Sequence, residues 1–140
     1  MKKVAVVFWS GTGNSAAMAN AVAKGAQAAG ADVTKYDASS FSAGDVEKYD
    51  AIAFGCPAMG SEQLEDSEFE PMFDSVKGSL SGRNIALFGS YGWGDCEWMR
   101  SWEEDCKAAG AVLVCDSVTA NEAPDDAAVE ACKALGAALA

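Results

Sequence analysis

The sequence predicts an α/β fold, a three-layer sandwich in which a five-stranded parallel sheet has helices on both faces. Short apolar runs alternate with amphipathic helical patterns along the 140 residues, and the runs are almost continuously apolar. Strands of this composition are buried on both faces, which is typical of parallel sheets covered by helices. No linker, repeat or low-complexity segment divides the chain, so we expect one domain over residues 1–140.

Strand and helix patterns follow one another in strict alternation. The strand candidates are five short runs: Val4–Trp9, Val33–Tyr36, Ala51–Gly55, Ile85–Gly89 and Val112–Cys115. Four helical stripes lie between and after them, beginning near Asn14, Phe69, Met99 and Val129. We expect Gly30 and Gly110 to end the first and third helices. Pro71 should lie in the first turn of the second helix or break it.

The first predicted strand ends in a turn rich in glycine and hydroxyl residues, Trp9-Ser10-Gly11-Thr12-Gly13-Asn14-Ser15. Such a turn brings backbone N–H groups, side-chain hydroxyls and the positive end of a helix dipole into one small volume, which suits a phosphate monoester. It contains no Lys or Arg, and it lacks both the Walker spacing and G-x-G-x-x-G. We therefore expect the loop to hold one phosphate and not to cleave it.

Two further loops follow the third and fourth strands, Gly55-Cys56-Pro57-Ala58-Met59-Gly60-Ser61-Glu62 and Gly89-Ser90-Tyr91-Gly92-Trp93-Gly94-Asp95. Ligands of parallel α/β sheets bind beyond the carboxyl ends of the strands, where all three loops should meet. Trp93 has glycine on either side, so neither a helix nor a strand core explains it. The pattern favours a planar ligand held between Met59 and Trp93; a Trp93 ring folded over the edge of the core is the alternative.

Composition excludes several classes of function. The net charge is −11 and the chain has no histidine, the commonest general base and metal ligand. So acidic a protein is a poor partner for nucleic acid or an anionic membrane. The five cysteines form no C-x-x-C pair, which disfavours zinc and iron–sulfur sites and favours reduced thiols in the cytoplasm. Cys56 and Cys96 fall in predicted loops and are the candidates for reactive thiols.

The negative charge is unevenly distributed. Residues 1–60 carry five acidic and five basic side chains, so the whole excess lies in residues 61–140. The densest acidic cluster contains Glu62, Glu65, Asp66, Glu68 and Glu70. It is either a solvated helix surface or a docking surface for a basic partner, and its nearness to the predicted ligand loops favours docking.

Taken together, the three loops resemble those of short-chain flavodoxins, and the resemblance extends from the first strand to the last helix. It implies the flavodoxin-like strand order 2-1-3-4-5 and non-covalently bound FMN. It also implies a low-potential one-electron carrier, not an enzyme, that cycles mainly between semiquinone and hydroquinone. The chain has no room for the long insertion that interrupts the fifth strand of long-chain members. A small FMN-dependent NAD(P)H or quinone reductase on the same fold is the alternative. A flavin-free phospho-relay module is disfavoured, because Gly55-Cys56-Pro57 stands where a phosphoacceptor Asp is expected.

The resemblance also assigns the FMN site. It implies that the phosphate is held by Ser10, Gly11, Thr12, Gly13, Asn14 and Ser15. Met59 and Trp93 would cover the two faces of the flavin ring, and Glu62 would accept a hydrogen bond from flavin N3–H. The backbone of the fourth-strand loop would meet the pyrimidine end through Ser90, Tyr91, Gly92, Trp93 and Gly94. The Met59–Gly60 peptide would turn its carbonyl toward N5–H in the semiquinone, which glycine permits at little cost.

The remaining positions are less closely defined by the resemblance. Pro57 and Ala58 lie in the third-strand loop beside the cofactor, with Pro57 standing where some relatives carry a hydroxyl residue near the phosphate. Trp9, Trp98 and Asp95 are candidates for the rim, and a core position is the alternative for Trp98. The partners implied are redox proteins with basic docking surfaces, such as oxidoreductases or a pyridine-nucleotide reductase, which a monomer would meet in brief encounters.

Overall fold

A computed structural model describes residues 2–9, 11, 13–59, 63–92 and 94–140. The strands are β1 (Lys3–Phe8), β2 (Asp32–Asp37), β3 (Ala51–Gly55), β4 (Asn84–Tyr91), β5 (Val112–Leu113) and β6 (Val118–Asn121). The helices are α1 (Asn14–Ala28), α2 (Ala43–Val46), α3 (Phe69–Lys77), α4 (Glu97–Ala108) and α5 (Asp126–Leu139), with a 3₁₀ turn at Ala38–Ser40. The predicted start of α1 at Asn14 and the bounds of β3 are confirmed, and Pro71 lies in the first turn of α3.

The sheet is parallel and has the order β2-β1-β3-β4-β5, which confirms the expected flavodoxin-like order. Its central strands are buried except at the ends of β1 and β4, because both faces are covered by helices. Successive side chains alternate between the two faces. In β1, Ala5 and Val7 face the core under α3 and α4, whereas Val4 and Val6 face the core under α1 and α5.

The last strand differs from the prediction. Val112–Cys115 was expected to be one strand, but β5 contains only Val112 and Leu113, and a separate segment, β6, follows at Val118–Asn121. Both segments pair with β4, β5 with its amino-terminal end and β6 with residues Phe88 to Tyr91. Residues 114–117 separate the two, and the Ser117 hydroxyl donates to the Glu103 carboxylate of α4 at 2.7 Å. The carboxyl end of β6 therefore lies at the same end of the sheet as the carboxyl ends of β1, β3 and β4.

Helices α1 and α5 pack against each other at very short range. A Cβ placed on Gly25 of α1 would lie 2.0 Å from the carbonyl oxygen of Lys133, and one on Gly136 of α5 would lie 2.0 Å from that of Val22. The two glycines thus let the backbones of the helices touch. This contact fixes α1 on the sheet, and with it the position of the loop that precedes Asn14.

Candidate functional site

A cleft of about 240 Å³ opens at the carboxyl ends of the strands. It is lined by Trp9, Gly11, Asn14, Ser15, Pro57, Ala58, Met59, Ser90, Tyr91, Gly92 and Glu122. These residues come from the segments that follow β1, β3, β4 and β6, so the parallel topology alone brings them together. The cleft is the site of the three loops that the sequence singled out.

One end of the cleft has hydroxyl groups beside the amino terminus of α1. Ser15 is 2% exposed and Ser90 is 4% exposed, and their Oγ atoms lie 3.4 Å apart. Gly13 precedes the helix with a φ of 93°, a left-handed backbone that glycine adopts without strain. Gly11 is exposed but lies against the Trp9 ring, which a Cβ there would meet at 2.9 Å. Buried hydroxyls and a helix amino terminus are the elements of an anion site.

The loop after β3 is held by reciprocal backbone bonds. The N–H of Met59 donates to the carbonyl of Gln63 at 2.8 Å, and the N–H of Gln63 donates to that of Met59 at 2.9 Å. The Ala58 N–H donates to the Ser90 carbonyl at 2.9 Å, which ties this loop to the end of β4. Met59 is 38% exposed, so its side chain presents an apolar surface to the cleft and to solvent.

Glu65 caps the amino terminus of α3 and is not part of an exposed acidic surface, so its expected place in the docking cluster is wrong. The side chain is 5% exposed. Its carboxylate accepts from the N–H of Ser67 at 2.9 Å, of Glu68 at 2.7 Å and of Phe69 at 2.9 Å, and also from the Ser67 hydroxyl. Burial raises the pKa of Glu65, but these four hydrogen bonds outweigh it and lower the pKa to about 2.

Cys56 is structural and unsuited to thiol chemistry. Its side chain is fully buried, and its sulfur accepts from the Glu65 N–H at 3.3 Å. Burial raises the pKa of Cys56 to about 12, so little thiolate forms at neutral pH. The Trp98 indole N–H donates to the Cys56 carbonyl at 3.2 Å. The residue therefore links the third-strand loop to α3 and α4.

Trp98 was a candidate either for the rim of the site or for the core, and the structure places it in the core. It is 2% exposed, and its ring centroid lies 5.8 Å from that of Tyr91, a lining residue of the cleft. Trp9 lines the cleft as expected. Asp95 does not line it: its side chain is 79% exposed and pairs with Arg100 at 3.1 Å.

Nine of the residues assigned from the resemblance line the cleft. They are Gly11, Asn14, Ser15, Pro57, Ala58, Met59, Ser90, Tyr91 and Gly92. Gly13, Gly94 and Asp95 do not line it. Five assigned positions, Ser10, Thr12, Gly60, Glu62 and Trp93, lie outside the described residues, and so does the proposed Met59–Gly60 peptide turn.

Glu122 lines the cleft and was missed by the sequence analysis. It directly follows β6, a strand that the sequence analysis did not predict. The run Val118-Thr119, rich in β-branched residues, was the available signal for that strand. A strand predicted at this run would have placed Glu122 at the carboxyl ends of the strands, beside the other residues of the cleft.

Comparison with known proteins identifies the family. The model of the flavodoxin family matches residues 6–136. The chain belongs to the flavodoxin family. Among curated relatives, the flavodoxin of Megasphaera elsdenii is 47% identical over 137 residues and that of Clostridium beijerinckii 43% identical over 122 residues. The matches cover 98% of both chains in the first case, and 87% of this chain and 88% of the relative in the second.

Solved structures give the same result. The solution structure of two-electron reduced Megasphaera elsdenii flavodoxin superposes with a TM-score of 0.90 at 46% identity, over 97% of each chain. Oxidised flavodoxin 1 from Bacillus cereus superposes with a TM-score of 0.85 at 27% identity, over 98% of this chain and 96% of that one.

Membership of this family settles cofactor and class of function. Flavodoxins bind FMN and carry electrons between redox partners, so this chain is an FMN-binding electron-transfer protein and not an enzyme. The alternative of a small NAD(P)H or quinone reductase is not favoured. In the part of the chain that the structure describes, no helix is both long and apolar enough to span a membrane.

Proposed function

We propose that the cleft is the FMN site and that the whole chain forms one FMN-binding domain. The observation that carries this proposal is the pairing of buried hydroxyls with apolar walls in one cleft. Ser15 and Ser90 lie beside the amino terminus of α1, where a phosphate monoester is favoured without a cation. Met59 and Tyr91 supply apolar surface for a flavin ring. Bound FMN supplies the one-electron redox chemistry, and the protein orients it and sets its potentials.

The proposed FMN site contains the residues that the resemblance to flavodoxins implies. Ser10, Gly11, Thr12, Gly13, Asn14 and Ser15 would hold the phosphate, Met59 and Trp93 would cover the ring, and Glu62 would accept from N3–H. No Lys or Arg is among the described residues that line the cleft. Addition of negative charge in this cleft is therefore disfavoured, which supports a carrier that works at low potential.

Replacing Ser15 by alanine tests the phosphate end of the site. The variant should bind FMN about tenfold more weakly, since one hydrogen bond to a charged group is worth about 1.5 kcal/mol. Riboflavin, which lacks the phosphate, should bind both proteins equally. Quenching of flavin fluorescence on titration with apoprotein measures both dissociation constants. Ser79→Ala, at an exposed position after α3, is the matched control and should change neither. Equal weakening of FMN and riboflavin would show that Ser15 does not contact the phosphate.

We further propose that partners dock on an acidic surface formed by Asp66, Glu68 and Glu70, the described exposed members of the acidic cluster. Exposed carboxylates without local cations attract basic partners over a distance of about one Debye length. Asp66 and Glu70 also line a groove beside Trp98, whose ring contacts Tyr91 of the cleft. Trp98 thus lies between this surface and the proposed cofactor site.

Five free cysteines support a reducing cytoplasmic location. The brief contacts of an electron carrier suit a monomer.

The docking proposal predicts a rate that depends on charge and salt. The double variant Asp66→Asn/Glu70→Gln should transfer electrons to a positively charged haem protein about three- to tenfold more slowly at low ionic strength. Stopped-flow absorbance follows the transfer. The control Asp32→Asn/Glu47→Gln removes the same charge near the amino ends of the strands, away from the cleft. If the two double variants are slowed equally, net charge and not this surface steers the encounter.

A further inference from the structure

Glu122 combines two features that no other described lining residue of the cleft has. It is the one charged residue among them. It also has a φ of 58°, a left-handed backbone in a residue that is not glycine. For residues with a Cβ this conformation is unfavourable, because the Cβ crowds the following carbonyl. Positions that keep an unfavourable backbone are concentrated at functional sites.

The surrounding structure holds Glu122 in this conformation. Its N–H donates to the Tyr91 carbonyl at 2.7 Å, directly after the pairing of Asn121 with Tyr91 that ends β6. Tyr91 itself lines the cleft and contacts the buried Trp98 ring. The backbone of Glu122 is therefore anchored to a wall of the cleft, and the exposed residue lines that cleft. A glycine would satisfy the backbone more easily but would bring no charge.

We propose that Glu122 is a potential-tuning residue, a carboxylate in the lining of the cleft that disfavours additional negative charge on the cofactor. The proposal rests on the cleft being the FMN site. Solvent partly screens the exposed Glu122, but its carboxylate lines a cleft with apolar walls, where the effective dielectric constant is below that of bulk water. A group bound in the cleft therefore feels its field. Both the phosphate of FMN and electrons added to the flavin are repelled. Glu122 would thus lower the reduction potential at some cost in FMN affinity.

Glu122→Gln removes the charge and keeps the size of the side chain. The variant should bind oxidised FMN about three- to tenfold more tightly at low ionic strength, and the gain should shrink as salt is added. The midpoint potentials of the bound flavin should shift in the positive direction, most for the step that adds net negative charge. Flavin fluorescence gives the dissociation constant, and a spectroscopic redox titration gives the potentials.

Two further variants separate charge from backbone. Glu47→Gln removes one carboxylate shortly before β3, at the amino ends of the strands and away from the cleft. It should change the dissociation constant for FMN less than twofold. Glu122→Gly removes both the charge and the conformational free-energy cost of a left-handed backbone in a residue with a Cβ. It should reproduce the potential shift of Glu122→Gln and also raise the urea concentration needed to unfold the apoprotein.

The inference is overturned if Glu122→Gln matches Glu47→Gln in affinity and potentials. It is equally overturned if Glu122→Gln binds FMN more weakly, since the carboxylate would then act as a hydrogen-bond acceptor for the cofactor. Ser15→Ala distinguishes this from failure of the proposed site. If Ser15→Ala weakens FMN binding while Glu122→Gln is inert, only the role of Glu122 is lost. If both are inert, the cleft is not the FMN site and both proposals are lost.

Discussion

Replacement of Gly136 by alanine is expected to destabilise the fold by about 2 kcal/mol. The new Cβ would lie 2.0 Å from the Val22 carbonyl oxygen and 2.9 Å from the Ala26 nitrogen, both backbone atoms of α1. Backbone cannot swing aside as a side chain can, so the two helices must separate. Overpacking typically costs about 1–3 kcal/mol, and the higher helix propensity of alanine returns at most about 1 kcal/mol. Urea unfolding of the apoprotein measures the change.

Gly44→Ala is the matched control for this substitution. Gly44 lies in α2, and a Cβ there would have no atom within 4 Å. Its free energy of unfolding should stay the same or rise by a few tenths of a kcal/mol. Equal losses for Gly44→Ala and Gly136→Ala would show that the helix contact is not the cause.

The double variant Gly25→Ala/Gly136→Ala tests the same contact in another way. A Cβ on Gly25 would meet the Lys133 carbonyl oxygen at 2.0 Å. Both substitutions push apart the same pair of helices, so the second should cost less once the first has separated them. The combined loss should therefore be smaller than the sum of the two single losses. Additive losses would mean that each glycine relieves a separate local clash.

Replacement of Glu65 by glutamine is expected to cost about 3 kcal/mol at pH 7 and almost nothing near pH 2. The folded pKa of about 2 lies below the ordinary value of 4.5, so the carboxylate stabilises the folded state when ionised. That contribution is fully present above about pH 4.5 and is lost as the pH falls toward 2. A difference of 2.5 pKa units corresponds to about 3 kcal/mol. An amide also leaves two of the four donors of the cap facing an NH₂ group, because each carboxylate oxygen accepts two of the bonds.

Urea unfolding of wild type and Glu65→Gln at several pH values from 7 down to 2 measures this dependence. Apoprotein is used, so that release of FMN in acid does not enter the result. Glu68→Gln is the control, since Glu68 is exposed and adjacent in sequence, and it should change the free energy of unfolding by less than about 0.5 kcal/mol. A difference between wild type and Glu65→Gln that is constant with pH would rule out the ionised cap.

Strand ends were predictable from sequence where an apolar run meets glycine or a helix start. Ala51–Gly55 and the start of α1 at Asn14 agree with the structure for this reason. The sheet edge was less predictable, because Val112–Cys115 and Val118–Asn121 are short and each depends on β4 for its pairing. Missing β6 also meant missing Glu122, since a site residue is recognised by the strand that ends beside it.

Glu65 shows why charge patterns alone mislead. In the sequence it is one of five acidic residues between positions 62 and 70, and such a cluster is usually solvated. Its burial depends on a turn at residues 66–68 that points three backbone N–H groups toward one carboxylate. No spacing of apolar residues records that turn. Trp98 was ambiguous for a similar reason, because its indole N–H donates to the carbonyl of Cys56, which is distant in sequence.

The division of the last strand into β5 and β6 creates a position where the chain can accept an insertion. Residues 114–117 lie between two segments that pair independently with β4, at the edge of the sheet farthest from β2. Extra residues inserted there would extend outward without changing the register of Phe88 to Tyr91 with β6, and so without moving the walls of the cleft. A lineage of such proteins could therefore lengthen at this point and keep the proposed FMN cleft intact.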